Sequence, residues 1–266
     1  MLTTAAATDT SAPGRRRMQK AGLLAGLVVA LACVSMPVHA QTSDWPTRPI
    51  TLIVPFSAGG GIDANARLQA LVLSEILGQS VVVENVGAAA GTVGSGRVAK
   101  AAPDGYTLLI GNSGTHAYSQ SLYKTAPYNA IDDFAPVGLV SESPRILIVR
   151  KDFPANNLQE FIAYVKANQT QLKYGSAGIG SGTHLPCALL NLTLGVDVTH
   201  VPYRGAAGAM QDLVGGRIDY MCDTIQTGAA QVKGGSVKGI AVMASKRASS
   251  AVGFYAAGRQ ITGRQN

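Results

Sequence analysis

Glycines and small polar side chains, rather than charged groups, mark the segments of this sequence that could bind a ligand. Thr51–Arg67 reads TLIVPFSAGGGIDANAR: an apolar run, three consecutive glycines and a helix-like pattern from Asp63. Glycine lets the chain turn tightly and lets a ligand approach the backbone. Free N–H groups at a helix start carry partial positive charge, so this loop is suited to an anion. Glycines at such junctions also occur in α/β proteins of other functions, so the motif alone is a weak indication.

Two further loops have the same character. Neither Asn112–Thr115 (NSGT) nor Ser176–Thr183 (SAGIGSGT) contains a lysine or an arginine, and Ser57–Gly61 has none either. A ligand held by these loops would be bound through backbone N–H groups, hydroxyls and water. Such donors suit a carboxylate, which accepts several hydrogen bonds at once, better than a polyphosphate.

No catalytic motif accompanies these loops. Gly111–Thr115 lacks the last glycine of the G-x-S-x-G nucleophile elbow. Gly175–Gly182 has neither the lysine of a P-loop nor a complete G-x-G-x-x-G fingerprint. The histidines His116, His184 and His200 lie on three separate segments, so neither a metal site nor a cofactor is expected.

Predicted strands and predicted helices alternate from residue 50 onward, and these elements must position the loops. Such β–α alternation predicts parallel sheets joined by crossover helices. Apolar spacing and end signals predict helices at Asp63–Leu77, Asn157–Asn168, Thr183–Leu194 and Ala206–Val214. Apolar runs predict strands at Ile50–Val54, Ser80–Glu84, Tyr106–Ile110, Ala135–Val140, Ile146–Val149, Lys173–Tyr174, Asp197–Val201, Ile218–Met221 and Gly239–Val242.

An internal similarity indicates two domains. Val54–Phe56 (VPF) leads into a glycine loop and a helix, and Val201–Tyr203 (VPY) leads into Arg204–Gly208 (RGAAG) and another helix. We interpret these as two similar βα units, one in each domain, with a boundary near Ser141–Arg145; chance similarity in a chain rich in glycine and alanine is the alternative. Ligands of open α/β sheets lie beyond the carboxyl ends of the strands, so two such domains would enclose a cleft.

Residues 1–40 have the features of a secretory signal peptide. Arg15–Arg17 and Lys20 form a basic region, Ala21–Val34 is apolar and uncharged, and Val38–Ala40 (VHA) suits cleavage. A membrane anchor is the alternative, but a spanning helix needs roughly 20 apolar residues, which is longer than this run. We therefore expect export and cleavage near Ala40.

Charge and cysteine content narrow the function further. The whole chain carries a net charge of +7; residues 1–40 hold four basic residues and one acidic residue, so +4 remains beyond them. Aromatic residues are few and are not interleaved with basic ones, so nucleic-acid binding is not expected.

Beyond the leader, Cys187 and Cys222 can pair in an oxidising compartment or stay as two buried thiols, and the sequence leaves both open.

Four segments resemble, in order and spacing, those of one protein family: Val54–Arg67 (VPFSAGGGIDANAR), Ala101–Ala117 (AAPDGYTLLIGNSGTHA), Tyr174–Leu185 (YGSAGIGSGTHL) and Asp197–Asp223 (DVTHVPYRGAAGAMQDLVGGRIDYMCD). The family is that of the Bug-type periplasmic solute receptors, the substrate-binding components of tripartite tricarboxylate transporters. The resemblance covers about Trp45 to Arg247. It implies a type II periplasmic-binding-protein-like α/β fold with two lobes, 41–143 and 144–247, and an interdomain ligand cleft.

The resemblance also implies a function without catalysis. The protein would be a periplasmic receptor, not an enzyme, that captures a small carboxylate and delivers it to membrane transporter subunits. The ligand would be a dicarboxylate, a tricarboxylate, an amino acid or an aromatic acid. Carried over position by position, the implied ligand-binding residues are Phe56, Ser57, Ala58, Gly59, Gly60, Asn112, Ser113, Gly114, Thr115, Ser176, Ala177, Thr183, His184, Tyr203, Arg204 and Asp223.

Within this implied site, the loop amides and bridging waters would hold one ligand carboxylate, and Asp223 would receive a ligand amine or order a water molecule. An α/β enzyme that uses His184 and Asp223 as acid and base is the alternative function.

The sequence departs from the family in two places. After Arg247 the expected proline-containing return to the first lobe is absent, and residues 248–266 form an atypical tail. A truncated or frameshifted receptor with a weakened first lobe, or one without function, is therefore a further expectation. Pro186 separates Cys187 from the preceding His-Leu pair, which argues against a disulfide bond.

Overall fold

The first lobe is built on three parallel strands, which lie in the order β2 (Val81–Asn85), β1 (Ile50–Val54) and β3 (Thr107–Leu109). The structure, a computed structural model, describes residues 44–244 and 255–256. The described residues from Pro46 onward belong to one compact unit. Because all three strands run the same way, their carboxyl ends lie at one edge of the sheet, and the loops that follow β1 and β3 come together there.

Helix α1 (Gly61–Leu77) follows β1 directly after the glycine loop and packs against the sheet. It ends where Gly78 adopts a left-handed conformation, with φ of 65°, and donates its N–H to the carbonyl oxygen of Ser74. Glycine takes this conformation without the strain that a Cβ would add. The lobe also contains a 3₁₀ turn at Ala89–Gly91, helix α2 (Thr92–Ala99), a π-helical turn at Gly114–Tyr118 and the short helix α3 (Ser119–Leu122).

The second lobe contains a six-stranded mixed sheet. Its strand order is β6-β5-β7-β4-β8-β9, where β4 is Arg145–Arg150, β5 Lys173–Ser176, β6 Thr199–Pro202, β7 Tyr220–Thr224, β8 Val237–Met243 and β9 Tyr255–Ala256. Strand β4 runs antiparallel to both of its neighbours, β7 and β8. The prediction of parallel sheets is therefore wrong for β4, whereas the pairs β5–β6 and β5–β7 are parallel as predicted and β8–β9 is parallel as well. The physical reason is that β4 enters from an extended segment instead of a crossover helix, and it inserts between two strands that a helix connects.

Four helices cover this sheet: α4 (Leu158–Asn168), α5 (Leu185–Leu194), α6 (Ala206–Val214) and α7 (Ile225–Lys233). Helix α4 is capped by its own sequence, because the Asn157 side chain accepts a hydrogen bond from the N–H of Glu160, 3.0 Å away. The Glu160 carboxylate in turn accepts from the N–H of Asn156 at 2.7 Å. This reciprocal arrangement satisfies N–H groups that the first turn leaves without partners.

Apolar side chains fill both faces of the second sheet. One core forms around Phe153, Phe161 and Tyr220, and the other around Ile146 and Leu213. Within the first core, Cys187 of α5 and Cys222 of β7 are joined by a disulfide bond, and their Cα atoms are 5.6 Å apart. Pro186 lies in the first turn of α5, where the missing N–H of proline costs no hydrogen bond, so it is compatible with the bridge.

Several sequence predictions need correction. Ala135–Val140 is not a strand: no described strand pairs with it, and the Val137 and Leu139 side chains are 91% and 79% exposed. An apolar run predicts strand propensity, but a strand forms only where a partner takes up its N–H and C=O groups. Helices α2 and α7 were not predicted, because glycines interrupt their apolar spacing.

Predictions for the two termini fall mainly outside the described residues. The signal peptide at 1–40 lies wholly outside them. Of the tail at 248–266, only the backbone of β9 is described. Among the described residues, no helix is long and apolar enough to cross a membrane.

Candidate functional site

A small cavity lies where the carboxyl-end loops of the two sheets meet. We call it the cleft cavity, and its volume is about 30 Å³. The first lobe contributes Phe56, Ser57, Gly60, Gly61, Ile62, Asp63 and Asn112, and the second lobe contributes Arg145, Ala177, Ser181, Gly182, Thr183, Ala206 and Thr224. A water molecule needs about 10–15 Å³ of such space, so the cavity has room for roughly two waters and not for an organic acid. The lobes would therefore have to separate to admit such a ligand.

The first-lobe loop, Phe56–Gly60, is held in shape by the buried carboxylate of Asp63. One carboxylate oxygen accepts the N–H of Gly59 at 2.9 Å and the other accepts the side-chain amide of Asn85 at 2.9 Å. Arg67, one turn further along α1, also donates to it at 3.1 Å. Burial by itself would raise the pKa of Asp63, but the hydrogen bonds from Arg67, Gly59 and Asn85 bring that pKa below its usual value. The loop is thus fixed before any ligand binds.

The Asn112–Thr115 turn is also closed by its own side chains. The Thr115 hydroxyl accepts the N–H of Asn112 at 2.9 Å, and the Asn112 side chain accepts the N–H of Thr115 at 3.1 Å. Thr115 is fully buried, whereas Asn112 lines the cleft cavity. Thr115 therefore supports the turn, and Asn112 is the member of the turn that faces the cavity.

The second-lobe loop, Ala177–Thr183, is held by Thr183 and His184. The Thr183 hydroxyl accepts the N–H of Ala177 at 2.8 Å, and Nδ1 of His184 accepts the N–H of Gly180 at 3.2 Å. Nδ1 is therefore the unprotonated nitrogen, since a protonated one could not accept this bond. The His184 ring lies 4.3 Å from that of His200, measured between centroids.

Both histidines are stabilised in their neutral form. Burial lowers the pKa of His184. Burial, with a smaller contribution from His184, lowers the pKa of His200 to about 4. Nε2 of His200 lies 2.7 Å from the Ser176 hydroxyl, so the pair anchors the start of the loop to strand β6. The two histidines support the loop and do not line the cleft cavity.

Arg145 brings a positive charge to the cleft cavity. It is the first residue of β4, and its side chain is partly buried. Its Nη2 atom lies 2.6 Å from the point that a Cβ of residue 182 would occupy, so Gly182 leaves the room that the guanidinium needs. Burial lowers the pKa of Arg145 and the nearby Asp223 carboxylate opposes that shift; an arginine remains protonated under such conditions.

Asp223 lies on the neighbouring strand β7 and faces a different space. One of its carboxylate oxygens accepts the Thr227 hydroxyl, while Oδ1 is buried without a hydrogen-bond partner among the described residues. Burial raises the pKa of this carboxyl group. Asp223 lines a second cavity of about 380 Å³, which we call the side cavity and which shares Gly60 and Ala206 with the cleft cavity.

The lobes touch each other through glycines around the cleft cavity. A Cβ on Gly205 would lie 2.1 Å from the Ser57 hydroxyl, and a Cβ on Gly61 would lie 2.3 Å from the Thr224 hydroxyl. Real Cβ atoms essentially never come this close to another atom, so a side chain at either position would force the Ser57 or Thr224 side chain to move. The close fit between the lobes therefore depends on the absence of these side chains.

Comparison with known proteins places this architecture in a family. Residues 65–253 match the family described as tripartite tricarboxylate transporter family receptor. The chain belongs to this receptor family. It is also 41% identical, over 222 residues, to a protein of Agrobacterium vitis, "UPF0065 protein in the TAR-I ttuE-ttuC' intergenic region"; the match covers 83% of this chain and 64% of the relative. The chain thus spans somewhat less than two thirds of the length of that curated relative.

Solved structures agree with the family membership. The periplasmic binding protein BugD superposes with a TM-score of 0.79 at 41% identity, over 81% of this chain and 72% of that chain. MatC of Rhodopseudomonas palustris, solved with bound malate, superposes with a TM-score of 0.78 at 40% identity, over 82% of this chain and 74% of that chain. The resemblance to Bug-type receptors and the two-lobed α/β fold are therefore confirmed.

For a receptor of this family, the structure brings together part of the residue set expected from the sequence. Phe56, Ser57, Gly60, Asn112, Ala177 and Thr183 line the cleft cavity, while Ala58, Gly59 and Asp223 line the side cavity. Seven other expected residues line neither of these two cavities: Ser113, Gly114, Thr115, Ser176, His184, Tyr203 and Arg204. The Tyr203 hydroxyl, for example, donates to Asp212 at 2.7 Å.

Sequence reasoning missed Arg145, the one basic residue that lines the cleft cavity. A signal was present, because an arginine starts an otherwise apolar strand at the expected boundary between the lobes. A position at the boundary between two lobes carries no local pattern that marks it as part of a ligand site. Gly61, Ser181 and Gly182 also line the cleft cavity and lie in the loops expected to hold a ligand, whereas Ile62, Asp63, Ala206 and Thr224 were not expected there.

Proposed function

We propose that this chain is a periplasmic receptor that binds a small carboxylate between its two lobes and presents it to the membrane subunits of a tripartite tricarboxylate-type transporter. Membership of the receptor family supports the transport role. The basic, apolar and small-residue segments within residues 1–40 support export. The identity of the ligand and of the membrane partners is part of the proposal.

The observation that carries the proposal is the charge pattern of the cleft cavity. On the first lobe, the cavity is lined by the start of helix α1 at Gly60–Ile62, where the N–H groups of the first turn have no partner within the helix and the helix dipole is positive. On the second lobe, the cavity is lined by the guanidinium of Arg145. Asp63 also lines the cavity, but its carboxylate is already bonded to Gly59, Arg67 and Asn85. The helix start and Arg145 therefore remain as the groups that suit a ligand carboxylate.

The way the ligand is enclosed follows from the cavity volume. At about 30 Å³ the space is too small for an organic acid, so the lobes must separate for entry and close again on the ligand. Residues 123–144, which join α3 to β4 and contain neither helix nor strand, form a link that can absorb such a hinge movement. Binding energy would shift the population of open and closed forms.

Binding without catalysis is favoured over the enzyme alternative by the placement of His184 and Asp223. His184 contacts Gly180, Tyr174 and His200 behind the second-lobe loop, whereas Asp223 lines the side cavity. The two groups do not face a common substrate position. They therefore lack the shared geometry that an acid–base pair requires.

Calorimetric titration tests the proposal. The full chain, recovered after export, would be titrated with malate and succinate, and with succinamide as an uncharged control of similar shape. We expect saturable binding of the dicarboxylates at one site per chain, no binding of the diamide, and recovery of the ligand chemically unchanged. The absence of binding to every dicarboxylate, or conversion of the ligand into a product, would overturn the proposal.

A further inference from the structure

Arg145 is unusual among the arginines that the structure describes. Five of the others form an ion pair with a carboxylate within 4.0 Å: Arg48, Arg67, Arg97, Arg150 and Arg217. Arg204 is exposed to solvent. The side chain of Arg145 is partly buried, and among residues 44–244 no hydrogen-bond partner and no carboxylate within 4.0 Å is found for its guanidinium. A charge withdrawn from water without a partner is unfavourable, so its retention in a cavity indicates that a ligand supplies the partner.

The acidic groups around Arg145 are already engaged or directed elsewhere. Asp63, on the opposite wall of the cleft cavity, is bonded to Arg67, Gly59 and Asn85. Asp223 attracts Arg145 through space, but it forms no ion pair with it and lines the side cavity. The remaining neighbour is Tyr118, which brings a phenol and not a carboxylate. A carboxylate from outside the chain can therefore pair with Arg145 without displacing an existing bond.

The position of Arg145 opposite the start of helix α1 suggests which part of the ligand it would bind. The first-lobe wall includes the start of helix α1 at Gly60–Ile62, where the N–H groups of the first turn have no partner within the helix. The second-lobe wall includes Arg145, whose guanidinium lies beside Gly182. A ligand with one carboxylate can use only one of these positions. A ligand with two carboxylates can use both and thereby connect the lobes.

We propose that Arg145 binds the second carboxylate of the ligand and makes this receptor select dicarboxylates over monocarboxylates. This inference rests on the proposed function, because it assumes that the cleft cavity is the ligand site. A guanidinium donates two parallel hydrogen bonds to a carboxylate, which fixes both its charge and its orientation. The same contact couples recognition to closure, since the bridged lobes are the closed ones.

Titration of the parent chain and an Arg145→Gln variant with succinate and with succinamate tests this inference. Succinamate has nearly the same shape but only one carboxylate. For the parent we expect succinate to bind about 10- to 100-fold more tightly than succinamate, in line with the strength of charge-assisted hydrogen bonds. In the variant the affinity for succinate should fall by about that factor, while the affinity for succinamate changes little.

The ratio of the two affinities separates recognition from a structural role. A loss of folding or of lobe closure would weaken both ligands together and leave the ratio unchanged. Lys166→Gln is the matched control, since it removes one positive charge from an exposed position of the same lobe, on helix α4. It should preserve the ratio.

A second variant covers the case in which Arg145→Gln does not fold. Arg145→Lys keeps the positive charge but loses the paired donors, and we expect it to lower the ratio by about 3- to 10-fold. If either folded variant keeps the ratio of the parent, the inference is wrong while the proposed function stands. If the parent binds neither ligand, nor any other dicarboxylate, the proposed function itself fails.

Discussion

Gly205→Ala should weaken ligand binding without weakening either lobe. Gly205 precedes helix α6 with φ of −179°, an extended conformation that alanine adopts without strain. The added Cβ would meet the Ser57 hydroxyl at 2.1 Å and the Ser57 peptide nitrogen at 3.0 Å. The hydroxyl can rotate away, but the peptide nitrogen cannot. The two lobes would therefore have to stay slightly further apart.

The size of the effect follows from the cost of overpacking, which is typically about 1–3 kcal/mol. In the free protein the lobes can separate and relieve this cost. In the ligand-bound, closed form they cannot, so the cost appears in the binding free energy. One to three kcal/mol corresponds to an increase in the dissociation constant of about 5- to 150-fold.

Calorimetric titration with succinate and thermal unfolding of the free chain together measure this effect. Gly138→Ala is the matched control, because a Cβ at Gly138 meets no atom within 4 Å. We expect the control to bind like the parent, and Gly205→Ala to bind more weakly while it unfolds at the parental temperature. Parental affinity in Gly205→Ala would refute the conclusion that closure requires this contact. A matching loss of unfolding temperature would show that the substitution damages the second lobe itself.

Three further predictions concern stability. Because burial and a neighbouring histidine lower the pKa of His200 to about 4, the unfolded chain takes up a proton below about pH 6.5 that the folded chain excludes. This stabilisation is complete above pH 6.5 and is lost as the pH falls towards 4; the loss is about 1–2 kcal/mol after allowance for partial exposure. Denaturant titrations should show that the free energy of unfolding falls less steeply with pH in His200→Gln than in the parent. Equal slopes of the free energy against pH would contradict this. Replacing Cys187 and Cys222 together by alanine should lower the free energy of unfolding by about 3–4 kcal/mol, since the bridge spans 35 residues. The reduced parent should have the same free energy of unfolding as the variant, and a lower one than the oxidised parent. Asp63→Asn should lower the free energy of unfolding by about 1–3 kcal/mol and weaken succinate binding, because the N–H of Gly59 loses its charged acceptor. Unchanged binding would show that the loop keeps its shape without the Asp63 carboxylate.

Local sequence signals were sufficient to predict most of the individual helices and strands. The apolar run of β1 and the helix end at Gly78 occur where the sequence places them. Helix α4 begins within one residue of its predicted start, because the Asn157 side chain that caps it acts over only three residues. Ala135–Val140 shows the limit of such signals, since an apolar run cannot reveal whether another strand lies beside it.

The sequence by itself determined the glycine loops, the helices that follow them and, through its motifs, the receptor family. These features depend on residues close together in the chain, where spacing and capping are readable. Only the tertiary structure decided that Arg145 lines the cleft cavity while Asp223 lines the side cavity, and that His184 supports a loop from behind. The antiparallel insertion of β4 produces this arrangement, because it aligns residues 146 and 223, which lie far apart in the sequence. Whether a charged side chain has a partner depends on such long-range neighbours, and no local pattern encodes them.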